Sequence, residues 1–140
     1  PTLADIGSGA GFPGLVVALM APMFHVKLIE SNAKKTAFLQ EVVARTGARN
    51  VEILRARAES QVGWTADIVT ARACAALTNL LEMTQGIRGP DTICFFLKGA
   101  TAERELTEAR EAWKMTAQST PSVTNPDSVI LTISEVNRVS

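Results

Sequence analysis

Thr2-Leu-Ala-Asp-Ile-Gly-Ser-Gly-Ala-Gly-Phe-Pro-Gly14 opens the chain and sets its architecture. A short, largely apolar run over residues 3–6 is followed at once by Gly7, Gly9, Gly11 and Gly14. Glycines in a strand-to-helix turn permit positive φ and let a ligand approach the backbone without a Cβ in the way. Beyond the turn, residues 13–21 begin with Pro at a first-turn position, are apolar all round and stop at Pro22, which is the pattern of a buried helix. The opening unit is therefore strand, glycine turn, helix.

Outward from it, β-rich apolar runs recur at residues 26–29, 51–54, 68–70, 93–97 and 129–133, each of strand length. Between them lie helical stretches. Residues 31–46 start with capping residues, are predicted to bury Phe38, Leu39, Val42 and Val43 on one face, and end before Gly47. Leu77, Leu80 and Leu81 mark a third helix, and residues 101–114 place Ala102, Leu106, Ala109 and Trp113 on one stripe of a surface helix. Alternation of this kind predicts an α/β fold with a doubly wound, mostly parallel, Rossmann-like sheet. Residues 117–126 are rich in Ser, Thr and Pro and lead into Asn125-Pro-Asp-Ser128, a turn signal that predicts a terminal antiparallel hairpin. No repeat or linker divides residues 1–140, which read as one domain.

Composition narrows the function classes. The 140 residues are 46% hydrophobic and 20% charged, as expected of a globular domain with a full core. The longest apolar stretch, residues 15–21, falls far short of the roughly 18 to 20 that a membrane span needs, so a cytoplasmic chain without membrane contact is expected. Two cysteines, Cys74 and Cys94, have neither CxxC spacing nor a histidine cluster, and no disulfide or metal site is expected. Fourteen basic residues balance fourteen acidic ones, so any contact with nucleic acid must be local rather than a property of the net field. The chain enters its first strand directly after Pro1, as a truncated piece would.

From Gly9 the run also satisfies GxGxxG, the dinucleotide fingerprint. Two neighbours weigh against that alternative. Asp5 precedes the first glycine, and Pro13 stands where a pyrophosphate turn wants an N–H donor. A carboxylate at that strand end repels phosphates but suits an ammonium and a sulfonium, which are the charges of S-adenosylmethionine. Glu30 ends the second strand, where a carboxylate accepts hydrogen bonds from ribose hydroxyls of either cofactor. Ligands of open α/β sheets lie at the carboxyl ends of strands, so Gly7, Glu30, the stretch 55–59, Arg72 and Lys98 form one candidate set. Arg72 is placed at the topological switch point.

The pieces Asp5-Ile-Gly-Ser-Gly-Ala-Gly-Phe-Pro-Gly14, Lys34-Lys35 followed by Ala37-Phe-Leu39, Ala56-Arg-Ala-Glu59, Asp67-Ile-Val-Thr-Ala-Arg-Ala73 and Leu97-Lys-Gly-Ala100 occur in this order along almost the whole chain. In them the sequence resembles the bacterial RsmG/GidB family, which methylates N7 of a guanosine in 16S ribosomal RNA. The resemblance implies a class I S-adenosylmethionine-dependent methyltransferase fold acting on 16S rRNA or the small ribosomal subunit, not on DNA, and a monomer. It also implies that the family's leading helical segment is missing here. By it, Gly7 and Phe12 line the methionine and adenosine pocket together with Asp5, Gly9 and Gly11. Glu30 takes the ribose, Ala58 and Glu59 the adenine edge, and Arg72 the cofactor near the acceptor. Lys98 faces the RNA, and Arg72 and Lys98 are the candidate catalytic residues, acting by positioning. The chain departs from the family pattern at Glu30, where Asp is usual, and at Asp127-Ser128, where a basic residue usually opens the last strand.

Guanine N7 carries a free lone pair at neutral pH, so in-line transfer of a methyl group needs alignment rather than a general base. The sequence offers none: its single histidine, His25, falls at the start of the second strand and is read as structural. The amino-methyltransferase pattern of Asn or Asp with Pro-Pro and an aromatic is absent, since the chain has Thr70-Ala-Arg-Ala73. Cys74 lacks the preceding proline expected of a C5-methylating nucleophile, and is read as a small buried apolar side chain. Local cations and an aromatic or guanidinium plane are what an unpaired RNA loop requires, and Lys34, Lys35, Lys98, Phe12 and Arg72 can supply them. A small-molecule methyltransferase, or a truncated domain that binds cofactor without turnover, are the alternative expectations.

Overall fold

The computed structural model describes residues 1–72, 75–123 and 125–140. The expectation for Cys74 lies outside the described residues. In chain order the elements are β1 (Thr2–Ile6), α1 (Gly14–Met20), β2 (His25–Ile29), α2 (Ala33–Thr46), β3 (Val51–Leu54), β4 (Ala66–Arg72), α3 (Leu77–Met83), β5 (Arg88–Lys98), α4 (Ala102–Ala109), β6 (Trp113–Pro121) and β7 (Val129–Arg138). Single 3-10 turns occur at Ala58–Ser60 and Gln85–Ile87. The sheet order is β3-β2-β1-β4-β5-β7-β6. Strands β1 to β5 pair in parallel, and β7 runs antiparallel to both β5 and β6. The expected doubly wound sheet with a closing hairpin is the fold observed. The chain winds outward from β1 to β3 and then returns to the other side of β1 as β4, so the crevice of the switch point opens between β1 and β4.

Period-two alternation sorts the strand side chains onto two faces. Leu3 of β1 packs with Leu15, Ala18, Val26, Leu28 and Leu39 under α1 and α2, whereas Ala4 and Ile6 join Leu77, Leu81, Phe96 and Leu106 under α3 and α4. The β1/β4 register sets Leu3 opposite Ile68 and Asp5 opposite Thr70. Arg72, two residues beyond Thr70, therefore shares the α1 face. Cys94 and Phe96 lie in the opposite core, and the same alternation turns Lys98 toward α4.

The helix ends follow their sequence signals. Asn32 caps α2 by accepting from the Lys35 N–H at 3.0 Å, and Gly47 ends it in the left-handed region with φ 71°. Three expectations need correction. Helix α4 stops at Ala109, and Trp113 is the first residue of β6 rather than the last of a helical stripe. Its indole is buried, with the Arg88 and Arg138 guanidinium carbons 5.1 and 4.4 Å from the ring centroid. Pairing with β7 overrides the helical periodicity there. Residues 117–121, read as part of a turn-rich region, belong to the same strand, whose polar Ser and Thr suit an exposed sheet edge. Phe38 is 50% exposed while Leu39 is fully buried, because Thr36 and Leu39 hold the buried face of α2.

Asp5 faces α1 and is completely buried. Its Oδ1 accepts from the Thr70 hydroxyl at 2.7 Å and its Oδ2 from the Gly14 N–H at 3.2 Å. The carboxylate thus ties β1 to β4 and to the first residue of α1. The packing leaves no room for a side chain at position 14, where a Cβ would lie 2.6 Å from Asp5 Cβ, Asp5 Oδ2 and Leu28 Cδ2. Burial pushes the Asp5 carboxyl up to about 6, against the opposing pull of its hydrogen bonds and the Arg72 charge.

Gly14→Ala is expected to lower stability by about 1–3 kcal/mol through overpacking, read as a fall in the urea midpoint. Asp5 holds its proton more tightly in the folded chain than in the unfolded one, where 3.8 is the ordinary value. Its contribution is therefore full below about pH 4 and is lost as pH rises toward about 6, a change of about 3 kcal/mol at about 1.4 kcal/mol per pH unit. Relative to Asp5→Asn, the unsubstituted chain should lose stability over that window, and a pH-independent difference between the two would contradict the assignment.

Candidate functional site

The glycine loop is a backbone structure held from both ends. Gly7, Gly9 and Gly11 adopt φ of 66°, 45° and 90°, a region that L side chains rarely enter. The N–H groups of Gly7 and Ser8 both donate to the Ile29 carbonyl, at 2.9 and 3.3 Å. Glu30 completes the clamp. Its Oε1 accepts from the Gly9 N–H and its Oε2 from the Asn32 N–H, both at 2.9 Å. A carboxylate 8% exposed thereby joins the loop after β1 to the loop after β2. A carboxylate has about four lone-pair sites, so each oxygen keeps acceptor capacity after these bonds.

Glu30 lines a cavity of about 150 Å³ with Gly7, Ser31, Ala58, Glu59 and Met83. The 3-10 turn Ala58–Ser60 places the small, buried Ala58 on its wall and leaves Glu59 half exposed, 3.6 Å from the Arg57 guanidinium. Four residues predicted from the sequence, Gly7, Glu30, Ala58 and Glu59, are thus brought together. Asp5 is not among the lining residues. Its carboxylate points into the core beneath Gly14, so the charge read from the sequence as facing a ligand serves the loop instead. Gly11 likewise faces inward, since a Cβ there would lie 3.0 Å from Leu15 Cδ2.

A second cavity, of about 680 Å³, lies beside Phe12 and Arg72 and is lined further by Leu97, Lys98, Gly99 and the β6–β7 hairpin through Val123 and Asn125. The Arg72 guanidinium carbon sits 5.9 Å from the Phe12 ring centroid, and Phe12 is 45% exposed. Aromatic ring and guanidinium together offer a flat, cationic surface at the mouth of the crevice. The glycine loop borders both cavities, with Gly7 on the first and Phe12 on the second.

Lys98, expected on the RNA side, borders this cavity but is buried and already engaged by the scaffold. Its side chain is 3% exposed, and its ammonium donates to the Ala75 carbonyl and pairs with Glu105 at 3.0 Å. Glu105 also accepts from the Leu77 N–H at 2.8 Å and from the Thr101 hydroxyl at 2.7 Å. Burial would raise the Glu105 carboxyl, but these donors outweigh it and hold the group below the usual carboxylate range. Lys98 and Glu105 thus fasten the start of α3 to α4. Glu105 went unnoticed in the sequence because it stands among Glu103 and Glu108 on a charged helix. The usable signal was the alternation along β5, which turns position 98 toward that helix.

Lys34 and Lys35 are exposed in the first turn of α2 beside Gly9 and Ala10. His25 begins β2, at the opposite end of the sheet from both cavities, 3.6 Å from Glu52. Burial pushes the Cys94 thiol up to about 12, which leaves it unreactive. No helix among the described residues is long and apolar enough to cross a membrane. Glu105→Ala, which strands a buried ammonium, should cost about 3 kcal/mol. Adding Lys98→Met should restore part of that loss in urea unfolding, a coupling that two independent surface residues would not show.

The chain is similar in sequence and in fold to known methyltransferases. The family model for rRNA small subunit methyltransferase G (GidB) matches residues 1–130. A ribosomal RNA small subunit methyltransferase G from Rhodospirillum centenum is 46% identical over 134 residues, which cover 96% of this chain and 61% of that protein. Among the curated relatives, those from Rhodospirillum centenum and Paramagnetospirillum magneticum are spanned over 61% and 65% of their length. In fold, the chain superposes on a ribosomal protein L11 methylase from Lactobacillus delbrueckii subsp. bulgaricus with a TM-score of 0.74 at 17% identity, covering 96% of this chain and 69% of that one. A SAM-dependent methyltransferase from Aquifex aeolicus gives 0.71 at 15% identity, with 94% and 80% covered. The sheet with its closing hairpin is therefore the class I methyltransferase fold, and the chain belongs to the rRNA small subunit methyltransferase G (GidB) family.

Proposed function

We propose that this chain is the catalytic domain of an S-adenosylmethionine-dependent enzyme that methylates guanine N7 in small-subunit (16S) ribosomal RNA. The observation that carries the proposal is the joining, through Glu30, of the glycine loop to the cavity lined by Gly7, Ala58 and Glu59, with a second and larger cavity beside Phe12 of the same loop.

The residues present fit the cofactor. Glu30 retains lone pairs for ribose hydroxyls, Gly7 presents bare backbone, Ala58 leaves room for a base, and the Glu59 carboxylate can accept from an exocyclic amine. When bound, S-adenosylmethionine supplies an electrophilic methyl group, whose bond to sulfur breaks as the bond to N7 forms. Asp5 acts from below, keeping the loop and α1 in register with β1 and β4. Gly9 and Gly11 supply the backbone path, and Phe12 lines the larger cavity.

On the acceptor side, Arg72 and Phe12 hold the guanine, the ring by contact and the guanidinium by its charge and donors. No group near N7 has to take up a proton, because the attacking nitrogen carries none, and this accords with a site built from glycines, a guanidinium and an aromatic. Lys98 contributes indirectly, by holding Ala75 ahead of α3 and pairing with Glu105. The chain acts as a monomer in the cytoplasm, on RNA rather than DNA.

Incubation of the protein with methyl-labelled S-adenosylmethionine and small ribosomal subunits, followed by RNA digestion, should release labelled N7-methylguanosine. Intact cofactor binding without that product would refute the substrate assignment, and tighter binding of NAD than of S-adenosylmethionine in calorimetry would refute the cofactor. Glu30→Ala should weaken cofactor binding about tenfold or more, whereas Arg72→Ala should lower turnover on RNA with a smaller effect on cofactor affinity.

A further inference from the structure

Phe38 presents half of its ring to solvent from the first turns of α2. Lys34 and Lys35 stand four and three residues before it, the spacings that bring helix side chains together on one surface. With Gly9 and Ala10 the three line a shallow cavity of about 260 Å³. The acids nearest in sequence are already engaged. Glu41 pairs with Arg45 at 2.9 Å, and both oxygens of Glu30 accept backbone N–H groups. Among the described residues, neither lysine takes part in an ion pair.

We propose that Phe38, Lys34 and Lys35 form a second nucleotide-binding site, on which an unpaired base near the acceptor guanine stacks while the two ammonium groups hold adjoining phosphates. The proposal rests on ribosomal RNA being the substrate. An aromatic face flanked by lysines matches a single-stranded nucleotide in both respects, since every base has a π-face and every linkage a negative charge. In a chain whose charges sum to zero, two unpaired neighbouring cations beside an exposed ring are a local feature rather than a general field. The site also lies on a continuous path from the acceptor cavity. Gly9 and Ala10 border this hollow and Phe12 borders the other, and three peptide units span at most about 11 Å. An RNA strand leaving the Arg72 side therefore crosses the outside of the glycine loop to reach Phe38.

The test compares binding and methylation of small-subunit RNA by the unsubstituted chain and by Phe38→Leu, Phe38→Trp and Lys34→Ala/Lys35→Ala, with cofactor affinity measured in parallel by calorimetry. Phe38→Leu keeps the apolar bulk and removes the π-face, and it should raise the RNA Kd and KM about tenfold while sparing cofactor affinity. Phe38→Trp should restore both. The double lysine variant should flatten the slope of log K against log salt by about 1.4, at about 0.7 per phosphate contact on a single strand. Equal RNA affinity in Phe38→Leu and the unsubstituted chain would overturn the stacking site and leave the patch to a protein partner. An unchanged salt slope would overturn the phosphate contacts. Failure of the unsubstituted chain to bind or methylate ribosomal RNA at all would instead remove the substrate reading underneath, and the proposal with it.

Discussion

A buried carboxylate under the first helix organises this molecule. Asp5 reaches sideways to Thr70 and upward to the Gly14 amide, so one side chain fixes the spacing of the two central strands and the point at which α1 begins. Putting an acid in the core is unfavourable unless its oxygens find donors. Here the donors come from the elements that must converge for the crevice to exist. The glycine loop is suspended between this anchor and the Glu30 clamp at the next strand, and its backbone path is set at both ends. Helix α1 needs no side-chain cap of its own, because the loop that delivers it is already held.

The alternation of strand side chains then separates two kinds of polar residue that look alike on paper. Arg72 and Lys98 both end central strands and both are cationic. Arg72 shares the α1 face with Asp5 and Thr70 and emerges beside Phe12. Lys98 falls in line with Cys94 and Phe96 and is drawn into the opposite layer, where Glu105 neutralises it. A half-turn along a strand is the difference between a guanidinium that lies beside Phe12 and an ammonium paired within the scaffold.

Much of this was legible in the sequence. Glycine spacing, strand lengths and the ordering of elements are local properties, so the parallel sheet, the Gly47 helix stop and the terminal hairpin could be read directly. The cluster of Gly7, Glu30, Ala58 and Glu59 was also legible, because strand ends converge in every open α/β sheet. What could not be read were the outcomes of competition between neighbours. The stripe Ala102, Leu106, Ala109, Trp113 satisfies a helical period, yet the ladder with β7 claims Trp113 for a strand. Phe38 and Leu39 are equally apolar, but only one position faces the sheet. Asp5 was correctly singled out, though its direction was misjudged, since chemical type says which charge a residue carries and not which way its side chain turns.

The two hydrogen bonds on Glu30 have a thermodynamic meaning of their own. A long flexible carboxylate normally surrenders rotamer freedom when it grips a ligand. This one surrenders it during folding, since Gly9 and Asn32 immobilise it from both oxygens. Its remaining lone pairs are therefore fixed in direction by the fold itself. The extra methylene relative to aspartate lets the side chain brace two loops at once while still lining the cavity, which makes the orientation of that carboxylate a property of the folded scaffold.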